Sequence, residues 1–155
     1  MRMFLGVMLG TGTVCAFAAP PPGYLLADRS ADGTYFVYVN PATIEEKDVS
    51  SFDAPDAPQT SMVLFDRADE QKPQGKNPGG WQFNKLGVKC DKQVIFRITP
   101  SSNGERLIYS SPEIVMTGTI DKSVVDLVCA NAREKKASDA AWDAVEHAVK
   151  SDDKK

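Results

Sequence analysis

Two cysteines, Cys90 and Cys129, constrain this chain more than any other feature, and their meaning depends on the compartment in which the chain folds. The third cysteine of the 155-residue sequence, Cys15, lies in the opening segment MRMFLGVMLGTGTVCAFAAPPPG. That segment begins with Arg2, continues uncharged from Met3 to Phe17, and reaches the small-residue motif Ala16-Phe17-Ala18 just before a proline run. A basic start, a short apolar stretch, a small-residue cleavage site and a chain breaker together read as a secretory signal. Roughly 18 or more apolar residues are wanted to span a bilayer, and this segment is shorter and rich in Gly and Thr. A lipid anchor on Cys15 is the alternative, but Gly12 and Val14 stand where a lipobox wants a Leu-like and a small residue. The expectation is cleavage after Ala18, a mature chain with no integral membrane segment, and residence in the periplasm or on the outer surface of a bacterium.

Cleavage or lipidation removes Cys15 from consideration and leaves a pair. In an oxidising compartment such a pair reads as a disulfide. Closing a loop of 39 residue steps stabilises by roughly 4 kcal/mol in the chain-entropy view, against about 5 to 15 kcal/mol for a whole domain. The alternatives demand more than the sequence offers. A nucleophilic cysteine needs a base, and the one histidine, His147, lies in a charged C-terminal segment. A zinc site needs about four ligands at suitable spacing. No metal or cofactor is expected, and His147 is a poor candidate for an axial haem ligand. The formal charge of −3, with no block of Lys or Arg, gives no footprint for nucleic acid.

From Tyr24 to Ser110 the pattern is that of short strands between turn signals. Tyr24 to Arg29 and Thr34 to Val39 flank Asp32-Gly33 and should pair antiparallel. Asn40-Pro41 should end the second strand, with a turn or helical bend at Ala42 to Ile44. Ser50 to Ser61 reads as a connection and Met62 to Phe65 as a short buried strand. Asp66 to Gly80 then reads as a long polar loop, of the length that is usually functional or disordered. In Trp81 to Cys90 the alternation has a fault: Trp81 and Phe83 are in one phase, Leu86, Val88 and Cys90 in the other. A bulge near Asn84 to Gly87 would reconcile them. Val94 to Thr99 follows, and the Asn103-Gly104 turn places Tyr109 opposite Ile98.

The last part changes period. Asp121 can cap a helix whose apolar positions include Val124, Val125, Val128 and Ala132, with Ile120 stapled on Val125. Cys129 lies one turn beyond Val125, so the helix can lie on the sheet with its sulfur toward Cys90. Further on, Trp142, Val145 and Val149 form a narrow apolar stripe, with Glu146 and Lys150 an i, i+4 pair. The fold class expected is α+β, an antiparallel sheet of about five to six strands with a C-terminal helix disulfide-linked to it. The organisation is signal peptide 1–18, Pro-rich linker 19–23, domain 24–132 and a partly helical charged tail 133–155.

Three pieces of this series resemble one known family. Asp32-Gly33-Thr34 leads into Tyr38-Val39-Asn40-Pro41-Ala42-Thr43-Ile44, similar to a Tyr-Tyr-Ile-Asp-Pro-x-x-Ile pattern. Val88-Lys89-Cys90-Asp91-Lys92 is similar to an aromatic-Asp-Cys-Lys-Asn segment, and Ser123 to Cys129 to a closing Ser-Val-x-x-Leu-x-x-Val-Cys helix. These resemble the bacterial surface-adhesin protein E domain over about Tyr24 to Cys129. Asn40 and Val88 depart from that pattern, which has Asp and an aromatic there. The resemblance implies an antiparallel sheet with a packed C-terminal helix, exported to the bacterial envelope, whose namesakes bind host matrix and plasma proteins.

The resulting expectation is a non-enzymatic exported domain that contacts a protein partner, host or envelope, through loops on a rigid frame. Lys72, Lys76 and Trp81, in and beside the long polar segment, are the candidate partner-contact residues, with Trp81 as an ordinary core residue the competing reading. A periplasmic structural or accessory role is the alternative function. Open strand edges also invite a second copy, so a homodimer is among the expected partners.

Overall fold

The computed structural model describes residues 19–52, 58–102, 104–110 and 112–152, with side chains described to Ala144 in the last helix. The expected signal segment 1–18, part of the Ser50 to Ser61 connection, Asn103 and the side chains of the Glu146 and Lys150 pair lie outside the described residues. The strands are β1 (Leu25–Arg29), β2 (Tyr35–Ser51), β3 (Thr60–Gln71), β4 (Gly80–Lys89), β5 (Val94–Pro100), β6 (Leu107–Tyr109) and β7 (Glu113–Ile114), followed by one helix, α1 (Ile120–Asp152). Neighbours pair antiparallel in the order β1-β2-β3-β4-β5-β6, and β7 pairs β5. The helix packs on this sheet, as the expected fold class requires.

The β1–β2 hairpin forms where Asp32-Gly33 predicts it. Gly33 takes φ +65°, and the Asp32 carboxylate accepts from the Ser30 hydroxyl and from both the amide and hydroxyl of Thr34. Contrary to expectation, β2 does not end at Asn40-Pro41. Between Asn40 and Glu45 it advances five residues while β3 retreats two, from Asp66 to Leu64. Pro41, which lacks an N–H, sits inside this bulge, and side chains take over the missing ladder bonds. The Thr43 hydroxyl donates to the Asn40 carbonyl and accepts the Asp66 amide, each at 2.9 Å, and Asn40 Oδ1 accepts the Ala42 amide. Ile44 is thereby buried, and the strand continues to Ser51.

Two further expectations are corrected. Asp66 to Gln71 is strand rather than loop, which shortens the connection to a tight turn in which Gln74 and Asn77 exchange backbone bonds of 3.0 and 2.8 Å. β4 carries no bulge, since its ladder with β3 is unbroken from Val63↔Val88 to Gln71↔Gly80. The fault in its alternation arises because the sheet buries apolar residues on both faces. Leu86 and Val88 point to the helix side, while Trp81 and Phe83 occupy the opposite face.

On the helix side, Val37, Val39, Ile44, Phe65, Leu86, Val88 and Ile95 form one core with Val124, Val125, Val128 and Cys129. On the other face a second core holds Val49, Met62, Leu64, Phe96 and Ile98. It is enclosed because β6 returns to β2 in parallel, Ser50↔Ile108 and Ser51↔Tyr109, so that the pairings β2-β3-β4-β5-β6-β2 close on themselves. The register Ile98↔Tyr109 is the expected one.

Thr119, not Asp121, caps α1: its hydroxyl accepts the Lys122 amide at 3.3 Å. Asp121 stands within the first turn and is used elsewhere. The helix then runs 33 residues without a break, through the boundary expected at 132/133. Cys90, in the turn after β4, is bonded to Cys129 with Cα atoms 5.8 Å apart, joining helix to sheet as expected.

Candidate functional site

Face by face, the long polar segment resolves into two constellations, because β3 sends alternate side chains to opposite sides. Toward the helix go Arg67 and Asp69, both less than a tenth exposed. Arg67 Nε donates to Asp69 Oδ1 at 2.8 Å, one terminal nitrogen donates to Asp121 Oδ1 at 2.5 Å, and the other donates to the Tyr35 hydroxyl at 3.2 Å. The Tyr35 hydroxyl in turn donates to Asp69 Oδ1 at 2.8 Å, and Asn84 donates to Asp69 Oδ2. Burial opposes the charge on Arg67, but Asp69 and Asp121 more than offset it and hold the guanidinium above its ordinary pKa. Burial, with the bond to Asp69, also raises the Tyr35 phenol. This network lies where α1 begins and anchors its first turn to β3, so its geometry is that of a brace.

On the opposite face the rings of Tyr38, Trp81, Phe83 and Tyr24 follow one another at centroid distances of 5.3, 6.3 and 6.2 Å. Tyr24 arrives there through a turn: its amide bonds the Pro21 carbonyl, and Gly23 takes φ +83° after Pro22. The Tyr38 hydroxyl donates to Glu70 at 3.2 Å, and burial followed by this carboxylate raises its pKa. Glu70 stands directly across the ladder from Trp81. Phe83 is 57% exposed and Leu26, beside Tyr38 on the same face, 52%. The row therefore runs from a buried Tyr38 through a half-buried Trp81 to a solvent-exposed Phe83, with Tyr24 half-buried against it.

The candidate partner-contact residues fall around this row without forming a single cluster. Trp81 is half-buried between Tyr38 and Phe83, so it is neither an interior core residue nor a lone anchor beside a mobile loop. Lys72 pairs with Glu70 at 3.4 Å and lies 4.9 Å from the Phe36 ring centroid. Lys76 is exposed in the turn between β3 and β4. Cys90 and Cys129 are bonded to each other across the helix–sheet contact.

Sequence reasoning missed Tyr35, Arg67 and Asp69 and assigned Asp121 to the helix cap rather than to this network. The signal was Phe65-x-Arg67-x-Asp69, an apolar residue followed at spacing two by opposite charges, which puts all three on one strand face. Comparison with family models, with curated proteins and with solved structures finds no match.

Proposed function

We propose that this chain is an exported, non-enzymatic bacterial envelope domain of the surface-adhesin protein E type that contacts a protein partner through the aromatic face of its sheet. The observation that carries this reading is the row Tyr38, Trp81, Phe83 and Tyr24, with Phe83 and Leu26 more than half exposed. Exposed aromatic rings on a fixed scaffold supply large contact area with few rotors to immobilise, which is what the centre of a protein interface needs. Lys72 and Lys76 would then supply polar contacts at its margin. The disulfide supports export, since such bonds persist where thiols are oxidised.

The test is fractionation of cells expressing a C-terminally tagged chain, with protease applied to intact cells. Cleavage of the tag on intact cells supports partner contact at the outer surface. Release by osmotic shock with protection from protease assigns a periplasmic accessory role instead. Recovery in the cytoplasm with Cys90 and Cys129 as free thiols overturns the reading.

A further inference from the structure

α1 packs on β1, β2 and β3 and leaves the outer part of the same sheet face, with Gln82 and Arg97, exposed. The β4–β5 ladder stops at Leu86↔Arg97, because β5 from Ile98 onward pairs β6 instead. Beside that parting lies an open cavity of about 200 Å³. Register puts Arg67 beside Asn84 and Asp69 beside Gln82 in its lining. Arg97 reaches it from β5, Glu113 from β7 and Asp121 from the first turn of α1. The cavity is on the opposite side of the sheet from the aromatic row, and nothing in it depends on the partner surface proposed above.

The brace does not use up these groups. Arg67 carries five N–H donors, of which three are engaged, so each terminal nitrogen keeps one. Asp121 gives Oδ1 to Arg67 and retains Oδ2. Asn84 donates to Asp69, while its own side-chain oxygen accepts nothing among the described residues. Arg97 and Glu113 are exposed, and neither enters an ion pair among the described residues. The lining thus combines a guanidinium and a carboxylate held in place by the brace with a second cation and a second anion that are free to turn inward.

Charge and size narrow the occupant. A lone anion meets three carboxylates against two guanidiniums, one of them already flanked by Asp69 and Asp121. A lone cation meets the unpaired Arg97. A sugar would want an aromatic face to lie on, but the Tyr35 hydroxyl is held in the brace and the Phe96 ring belongs to the core on the far face. What fits is a molecule with both signs close together. Its volume must be small, since drug-sized ligands occupy roughly 300 to 1,000 Å³. We infer that this cavity binds a free α-amino acid in its zwitterionic form. The α-carboxylate is held by Arg97 and the spare N–H groups of Arg67, and the α-ammonium by Asp121 Oδ2 and Glu113. Leu86 and Ile95, nearly buried in the same lining, offer an apolar wall to a small aliphatic side chain.

The probes are L-alanine, L-valine and L-leucine, titrated into the full mature chain by calorimetry and by the side-chain amide resonances of Gln82 and Asn84. At least one should bind with Kd below about 1 mM. Its N-acetyl derivative, which lacks the ammonium, and its amide, which lacks the carboxylate, should each bind about tenfold or more weakly. Arg97→Ala and Glu113→Gln, both at exposed positions outside the brace, should each weaken binding by a similar factor while leaving the urea midpoint unchanged. Neither heat nor a shift of those resonances with any of the three at about 10 mM overturns the inference. So does equal binding of either blocked derivative, undiminished binding by both variants, or binding of sulfate or glucose as tight as that of the amino acids.

Discussion

Removing both half-cystines, Cys90→Ala with Cys129→Ala, measures how far the fold depends on one covalent tie. The tie closes a loop of sequence separation 39. Chain-entropy arithmetic gives about 13 cal/mol/K for such a loop, or about 4 kcal/mol at room temperature. Cys129 also lies 3% exposed in the helix-side core, so loss of its sulfur adds a small cavity term. Comparing the double variant with the reduced native chain separates the two contributions. With a urea m-value of about 2 kcal/mol/M, the midpoint should fall by about 2 M on reduction, and Tm by about 15 °C. The slope m should rise on reduction, because the unfolded chain without the tie is more expanded and exposes more surface. A midpoint that moves by less than about 0.3 M on reduction, with a two-state transition in both states, would show that α1 and the sheet hold together without the tie. That result would refute the reasoning, because the helix would then be secured by its apolar face and the Arg67 brace alone.

Arg67→Ala leaves Asp69 buried against an empty space and should cost about 3 to 5 kcal/mol in urea unfolding, whereas Arg67→Met, which fills the volume, should cost visibly less. Gly79→Ala should lower stability by roughly 1 to 3 kcal/mol, because Gly79 holds φ +70° and an added Cβ would lie 2.4 Å from the Gln71 carbonyl oxygen. Asp28 is held below its ordinary carboxylate value of 3.8, first by the Ser123 hydroxyl on α1 and then by the Arg29 amide. A depressed folded pKa contributes stability that is present above the unfolded value and is lost as pH falls through the folded one. Unfolding followed by circular dichroism between pH 5 and about 2 should therefore show a decline that Ser123→Ala reduces.

Turn chemistry and the cysteine pair were legible in the sequence because each is a local rule with one geometric outcome. Asp32-Gly33 built its hairpin, Asn103-Gly104 gave the Ile98 and Tyr109 register across the turn, and Val124, Val125, Val128 and Cys129 turned one stripe to the sheet. What escaped was every case in which a side chain replaces backbone or solvent. Pro41 should end a strand, yet the Thr43 hydroxyl supplies the bonds that let β2 pass it. Asp66 to Gln71 has the composition of a loop, yet Arg67 and Asp69 neutralise each other inside the sheet and Glu70 finds Tyr38. The faulty alternation of β4 follows from closure of β6 on β2, which creates a second interior on the far face. No pattern internal to β4 encodes that closure. The aromatic row was visible only as separate residues, Tyr24, Tyr38, Trp81 and Phe83, spread over sixty positions of chain.

These features converge on the orientation of α1. A helix is stiff along its length, so its rotational phase, once fixed anywhere, is fixed everywhere. Here it is fixed near both ends of its packed half: Asp121 is gripped by Arg67 in the first turn, and Cys129 is bonded to Cys90 two turns on. Lys135 adds a third point at the Ile44 carbonyl. With three restraints over fifteen residues, the packed half has no freedom to roll. The half beyond Lys136 inherits that phase, so Ala141, nine residues on from Ala132, stands on the side away from the sheet. The disulfide thereby sets the direction in which the exposed stretch from Ala137 to Ala144 faces.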